Sequence, residues 1–186
     1  MVKRWRCTVC GYIHEGTEPP AVCPACGADC SRFEVVREDE PAFRGPGPSV
    51  ADHLHPILAH FPNGLMPTTI FLLAVSWLFS RPALEEAVVW MVGLVTCVVP
   101  LNLLTGIRDW RRYHGGIKAS IFRKKIALGI ALGLMGVVAL ALRLLGGYGL
   151  RPLYLTLLFG MLAASVALGY LGGQLMFVAI DKSDPH

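Results

Sequence analysis

Residues 126–145 read IALGIALGLMGVVALALRLL, and this run decides the architecture. A helix needs about 20 apolar residues to cross the hydrocarbon core of a bilayer. The run carries a single charge, Arg143, close enough to its end for the side chain to reach the interface. Three further runs have the same character, at about Ile57–Phe79, Ala87–Gly106 and Leu153–Ile180. None holds an interior Asp, Glu, Lys or Arg. A soluble bundle of buried helices is excluded, because such runs leave almost no polar face for water. The expected body is an all-α four-helix transmembrane bundle in a lipid bilayer.

Composition agrees. Hydrophobic residues make up 54% of the 186, charged residues 16%, and the mean hydropathy is +0.52. Disorder is excluded, since disordered chains are poor in apolar residues. The net charge of +4 does not imply a nucleic-acid partner, because the basic residues are not interleaved with stacking aromatics. The charge is also uneven. Residues 1–54 carry six basic and eight acidic side chains, net −2, while residues 55–186 carry eleven and five, net +6. A small, mildly acidic head precedes a basic, apolar body.

The short loops set an orientation. Arg108, Arg111, Arg112, Lys118, Arg123, Lys124 and Lys125 cluster between the second and third runs, against Arg81 in the first loop and Arg143 and Arg151 around the third. Lys and Arg mark the cytoplasmic side. Four spans then put both termini in the cytoplasm, at the inner (cytoplasmic) membrane of a bacterium. Met1 leads straight into the head with no apolar signal stretch.

Within the head, Cys7-Thr8-Val9-Cys10-Gly11 and Cys23-Pro24-Ala25-Cys26-Gly27 repeat one pattern. Cys-x-x-Cys lets two thiolates of one tight turn bind one metal, and the following glycine supplies the turn's backbone freedom. Two such knuckles make a tetrahedral sulfur site for zinc or iron. Disulfides are disfavoured in a reducing cytoplasm. Cys30 fits no ligand position and reads as a surface thiol.

Trp5-Arg6-Cys7, Cys10-Gly11-Tyr12-Ile13 and Cys23-Pro24-Ala25-Cys26-Gly27-Ala28, with Phe33 behind them, resemble a rubredoxin over about residues 3–36. The short gap between the knuckles is similar to the compact rubredoxin module of rubrerythrins. The resemblance implies one iron on Cys7, Cys10, Cys23 and Cys26, cycling between ferrous and ferric forms with unchanged ligands, and screened by Trp5, Tyr12 and Phe33. A structural zinc ribbon is the alternative.

The chain therefore divides into a metal-binding head at residues 1–37, a linker at 38–51 and a four-helix transmembrane domain at 52–186. Pro41, Gly45, Pro46, Gly47 and Pro48 give the linker its character. Its residues Glu38 to Ser49 span at most about 40 Å.

Three histidines, His53, His55 and His60, stand at the mouth of the first span, with His60 inside the apolar run. An ionisable group there is costly and is a functional candidate. Histidine is also a common axial ligand of haem. One helix cannot clamp a haem from both sides with these histidines, so a second ligand would come from another helix or subunit. His60, His55 and His114 are the candidate cofactor ligands. His114 also reads as a solvated residue of a basic loop, and Asp109 as a helix cap or arginine partner.

His55-Pro56-Ile57-Leu58-Ala59-His60-Phe61-Pro62 resembles the His-Pro-x-x-x-His-Phe-Pro signature of a family of bacterial four-helix membrane proteins of unknown function. Thr105-Gly106-Ile107-Arg108-Asp109-Trp110 and Gly172-Gly173 fit the same family. Many relatives place a histidine before the Gly-Gly pair, where this chain has Tyr170. Small residues in the third and fourth spans, among them Gly129, Gly133, Gly136, Gly160 and Ala164, suit close helix packing, and Gly172-Gly173 could leave room for a flat cofactor.

These readings converge on a membrane electron-transfer protein. A cytoplasmic rubredoxin-type iron would exchange single electrons with a haem b or a quinone in the bundle, and with a cytoplasmic redox partner. A homo-oligomer would offer a second haem ligand. Two other readings stand beside it: a non-redox scaffold whose zinc ribbon recruits a cytoplasmic partner, and a small oxidoreductase of quinones or oxygen species. No nucleophile–base pair, phosphate loop or carboxylate pair supports hydrolase or kinase chemistry.

Overall fold

The computed structural model describes residues 2–36, 53–114, 116, 119–145 and 151–177. The linker expected at 38–51 lies outside them. The head holds three antiparallel strands, β1 (Lys3–Cys7), β2 (Ile13–Gly16) and β3 (Phe33–Val35), in the order β2-β1-β3. The register pairs Trp5 with His14 on one side and with Val35 on the other. A turn of 3-10 helix at Cys30–Arg32 leads into β3, capped by the Asp29 carboxylate, which accepts from the Ser31 N–H at 3.0 Å.

Four helices follow: α1 (Leu54–Leu78), α2 (Pro82–His114), α3 (Ser120–Leu145) and α4 (Arg151–Phe177). All four are long and apolar enough to cross a membrane. Large side chains such as Phe71, Trp90, Leu134 and Phe159 are exposed along them, which suits lipid rather than water.

The basic segment between the second and third runs is mostly helix, where a loop was expected. Arg108, Arg111 and Arg112 ride on the last turns of α2, and Arg123, Lys124 and Lys125 on the first turns of α3. α2 runs on to His114, and Gly116 just beyond it takes a positive φ of 69°. At 33 residues α2 is about 50 Å long, well beyond a hydrocarbon core of about 30 Å. Its basic end therefore extends past the apolar run and needs no desolvation.

The chain forms two compact units. One comprises residues 49–108 and 126–169. Its core joins Met66 and Leu73 of α1, Val88, Val92, Val95 and Val99 of α2, Leu132 and Ala139 of α3, and Leu158, Met161 and Ala164 of α4. The glycines of α3 set its closeness to α2. A Cβ at Gly133 would meet Val99 at 3.3 Å, one at Gly129 would meet Leu103 at 2.6 Å, and one at Gly136 would collide with Thr96. This is the small-residue packing expected of helices that meet in lipid. Two buried polar groups of this core have partners: Thr69 donates to the Leu65 carbonyl at 2.7 Å, and Ser165 to Asn63 Oδ1 at 3.1 Å. The other unit joins the head to Asp109–Lys125 and to the end of α4 from Tyr170.

Candidate metal centre and its docking surface

The two knuckles are built alike. The Cys7 N–H donates to the Tyr12 carbonyl at 2.8 Å, and the Cys23 N–H to the Ala28 carbonyl at 2.7 Å. The Gly11 and Gly27 N–H groups return to the Cys7 and Cys23 carbonyls, each at 2.8 Å. Both glycines take positive φ, 78° and 73°, where a side chain would be strained. Each turn thus points two sulfurs at one centre. The four Sγ atoms lie within 4.8 Å of one another. Across the knuckles, Cys7 and Cys26 are 3.8 Å apart, and Cys10 and Cys23 are 3.6 Å apart. A tetrahedral site with metal–sulfur bonds of about 2.3 Å has sulfur–sulfur edges of about 3.8 Å. The donor set and its spacing fit one tetrathiolate metal ion.

Hydrogen bonds among the thiols give the cluster thiolate character. Those with Cys10, and then Cys26, bring Cys7 down to about 7. Cys23 is held well below the usual thiol range by Cys10, Cys26 and Cys7. Cys10 is correspondingly raised, chiefly by Cys23. Metal binding displaces the remaining thiol protons, so uptake weakens in acid. Cys30 is exposed and lies outside the cluster, as its spacing suggested.

All four ligand cysteines are at most 5% exposed, and what covers them comes from two parts of the chain. Tyr12 and Phe33 pack there, as the sequence suggested. Trp5 does not; its Nε1–H donates to the Gly16 carbonyl at 3.2 Å and ties β1 to β2. The unforeseen cover is the α2–α3 turn. Ala119, Ile121 and Phe122 join the buried cluster of the cysteines, with Trp110, Leu171 and Leu175 packed against it.

The turn grips both knuckles. At the second, Ile121 N–H and Ser120 Oγ each approach the Cys26 carbonyl at 3.4 Å, and Gly27 has no room for a Cβ beside Ser120. The start of α3 therefore meets the second knuckle, and its N-terminal dipole favours an anionic tetrathiolate. At the first knuckle, His114 bonds to the backbone of Val9, between the two cysteines. Its ring lies 5.0 Å from that of Phe122, whose own centroid is 5.9 Å from Trp110. His114 is thus half-buried against the head, which corrects the reading of it as a solvated loop residue. Its Nδ1 is buried with no hydrogen-bond partner among the described residues.

The other histidines go elsewhere. His55 is half-buried, with Nδ1 3.1 Å from the Asn102 carbonyl and 3.4 Å from Thr105 Oγ1. A Cβ at Gly106 would lie 2.8 Å from its ring, so the Thr105-Gly106 pair is what admits it. His60 is exposed on α1, and its Nδ1–H donates to the Pro56 carbonyl at 2.6 Å. That bond selects the tautomer whose Nε2 carries the lone pair. His53 is exposed at the start of α1. Among the described residues no histidine joins a group of three or more side chains placed to hold one metal ion.

Two family profiles account for nearly all of this. Residues 5–34 match the rubredoxin-like domain of rubrerythrin. Residues 51–180, more than half of the chain, match the predicted membrane protein family DUF2231. The chain belongs to the DUF2231 family. Its head is 52% identical over 33 residues to rubrerythrin of Nitratidesulfovibrio vulgaris, covering 18% of this chain and 17% of that one. It is 50% identical over 38 residues to rubrerythrin-1 of Clostridium acetobutylicum, 20% of each chain. The matches thus span a fifth or less of the rubrerythrins' own length. An uncharacterized protein of Archaeoglobus fulgidus is 33% identical over 86 residues, 46% of this chain and 72% of that one. No solved structure matches.

In this DUF2231 protein Gly172 of α4 leaves a bare helix surface, since a Cβ there would meet nothing within 4 Å. Tyr170 beside it is exposed, and its hydroxyl accepts from Gln174 Nε2 at 3.2 Å. The docking residues 119–122 were detectable in principle. Ala119-Ser120-Ile121-Phe122 is an uncharged, largely apolar island in an otherwise basic segment. Such an island outside a span needs a cover.

Proposed function

We propose that this membrane protein transfers electrons, and that iron in the rubredoxin-like head exchanges single electrons with an acceptor in the helical domain. The observation that carries the reading is the buried tetrathiolate set packed on the α2–α3 turn. When bound, iron in such a site supplies one-electron chemistry without ligand change. Cys7, Cys10, Cys23 and Cys26 hold it and leave no open position for a substrate. Tyr12, Phe33 and Phe122 keep water from the sulfurs. The turn is continuous along the chain with α2 and α3.

For the acceptor, the reading favours a haem b with His60 as axial ligand, and with His55 and His114 as further candidates. The Nδ1–H bond of His60 to a backbone carbonyl supports it, because ligating histidines donate their second nitrogen in this way. As His60 is exposed on α1, the opposing ligand would come from a second copy of the chain. A spectrum of the purified full chain from iron-replete cells tests both parts. The expected result is about one iron per chain with a visible sulfur-to-iron band, and a Soret band lost in His60→Ala. Full Soret intensity in both His60→Ala and His55→Ala removes the haem assignment. An iron band with no haem in the wild type leaves a quinone as the acceptor. Zinc in place of iron makes the head a scaffold for a cytoplasmic partner.

Both termini and the head are proposed to be cytoplasmic, on the strength of the basic residues flanking the α2–α3 turn. A reporter active only in the periplasm, fused after His186, should give no signal. A strong signal would reverse the orientation.

A further inference from the structure

At the start of α2 a different cluster has no part in the redox reading. The α1–α2 turn and the start of α4 enclose an open hollow of about 640 Å³, lined by Trp77, Ser80, Arg81, Glu85, Arg151 and Leu155 among others. Glu85 is the carboxylate in this group, and it is heavily engaged. It accepts from Trp77 Nε1–H at 3.1 Å and pairs with Arg151 at 3.1 Å and Arg143 at 3.7 Å. The Arg151 guanidinium also lies 4.7 Å from the centre of the Trp77 ring. Arg81 adds a further cation, without an ion pair among the described residues. Two arginines against one glutamate among the lining residues leave the hollow with an excess of one positive charge.

The backbone holds Arg81 in place. Ser80 takes a left-handed φ of 52°, unusual for a residue with a side chain. It is locked by Ser76, whose Oγ–H donates to the Arg81 carbonyl at 2.8 Å while the Arg81 N–H returns to the Ser76 carbonyl at 2.9 Å. α2 begins at Pro82 and α4 at Arg151-Pro152, so two helix N-termini line the hollow with their positive ends. Leu155 and the Trp77 ring supply an apolar wall.

We propose that this hollow binds a phosphate group, and that the phosphate is the headgroup of an anionic phospholipid. Arg81 and the outward N–H groups of Arg151 hold the phosphate oxygens, and the first acyl carbons lie along Leu155 and Trp77. The ring-stacked, carboxylate-paired Arg151 is preordered for this, and Arg81 supplies the uncompensated charge. An apolar wall beside a cationic hollow at the end of apolar helices suits a lipid better than a free anion.

The test uses the full chain purified in a neutral detergent. Binding of phosphatidylglycerol and of zwitterionic phosphatidylcholine is compared by native mass spectrometry and by the shift in thermal midpoint. Wild type should prefer phosphatidylglycerol, and Arg81→Gln should weaken its binding about fivefold while leaving phosphatidylcholine unchanged. Arg123→Gln, in the basic turn, should keep the preference and separates this hollow from general attraction to basic residues. Arg81 is not in the packed core, so its loss should not unfold the chain. Inorganic phosphate giving the same midpoint shift as the lipid would keep the phosphate site and overturn the lipid as its source. Equal binding of the two lipids by the wild type, or full preference in Arg81→Gln, would overturn the proposal.

Discussion

Cys26→Ser is expected to abolish the metal centre. The remaining three thiolates cannot close a tetrahedral sulfur site, and a serine hydroxyl does not deliver a thiolate's charge or softness. The apparent binding energy of structural metal in small cysteine sites is about 10–16 kcal/mol, which exceeds what the head's short strands and few core residues can supply alone. Loss of metal should therefore unfold the head. Cys26 is also where the two parts meet, because its carbonyl faces the start of α3. The first turn of α3 should open with it. Metal analysis, the visible spectrum and amide exchange at Ile121 and Phe122 read these effects together. Cys30→Ser, at an exposed sulfur, should change none of them. A Cys26→Ser protein with a full complement of metal would show that the four-cysteine set is not the site.

Ile121→Asp is expected to undock the head without emptying it. The Ile121 side chain is 3% exposed and belongs to the cluster formed by the ligand cysteines. A carboxylate there is desolvated beside an anionic sulfur cluster. The effective cost of burying such a charge is several kcal/mol. Separation of the two surfaces is the less costly outcome, since all four ligands lie within residues 7–26 and the knuckle bonds are internal to the head. Metal per chain should hold, while a chelator strips it at least about tenfold faster. Protection from exchange at Ala119 to Phe122 should fall. Ile121→Val, which removes one methylene, should cost about 1 kcal/mol and leave the stripping rate near wild type. An unchanged stripping rate in Ile121→Asp would mean that the turn does not shield the sulfurs.

The two variants separate the questions that the function raises. The first asks whether the head is a tetrathiolate centre at all. The second asks whether the centre needs its cover from residues 119–122.

Much of the molecule was legible from one dimension. Cys-x-x-Cys-Gly constrains a turn within five residues, so Cys7, Cys10, Cys23 and Cys26 and their glycines followed from spacing alone. Hydropathy over about 20 residues is equally local, and the four helices fell where the apolar runs predicted. Helix ends were less legible. A basic stretch such as Arg108 to Arg112 is as compatible with helix as with loop, and α2 runs through it to His114. The fate of His55 was not local. His55 meets Asn102 across 47 residues, and the Ser120 hydroxyl meets the Cys26 carbonyl across 94. The sequence by itself determined the two cysteine knuckles, the helices and their order, because bonded geometry and solvent transfer act on neighbouring residues. Tertiary structure alone decided that the α2–α3 turn covers the metal centre, because that contact depends on apolar surfaces that are far apart along the chain and meet only on folding.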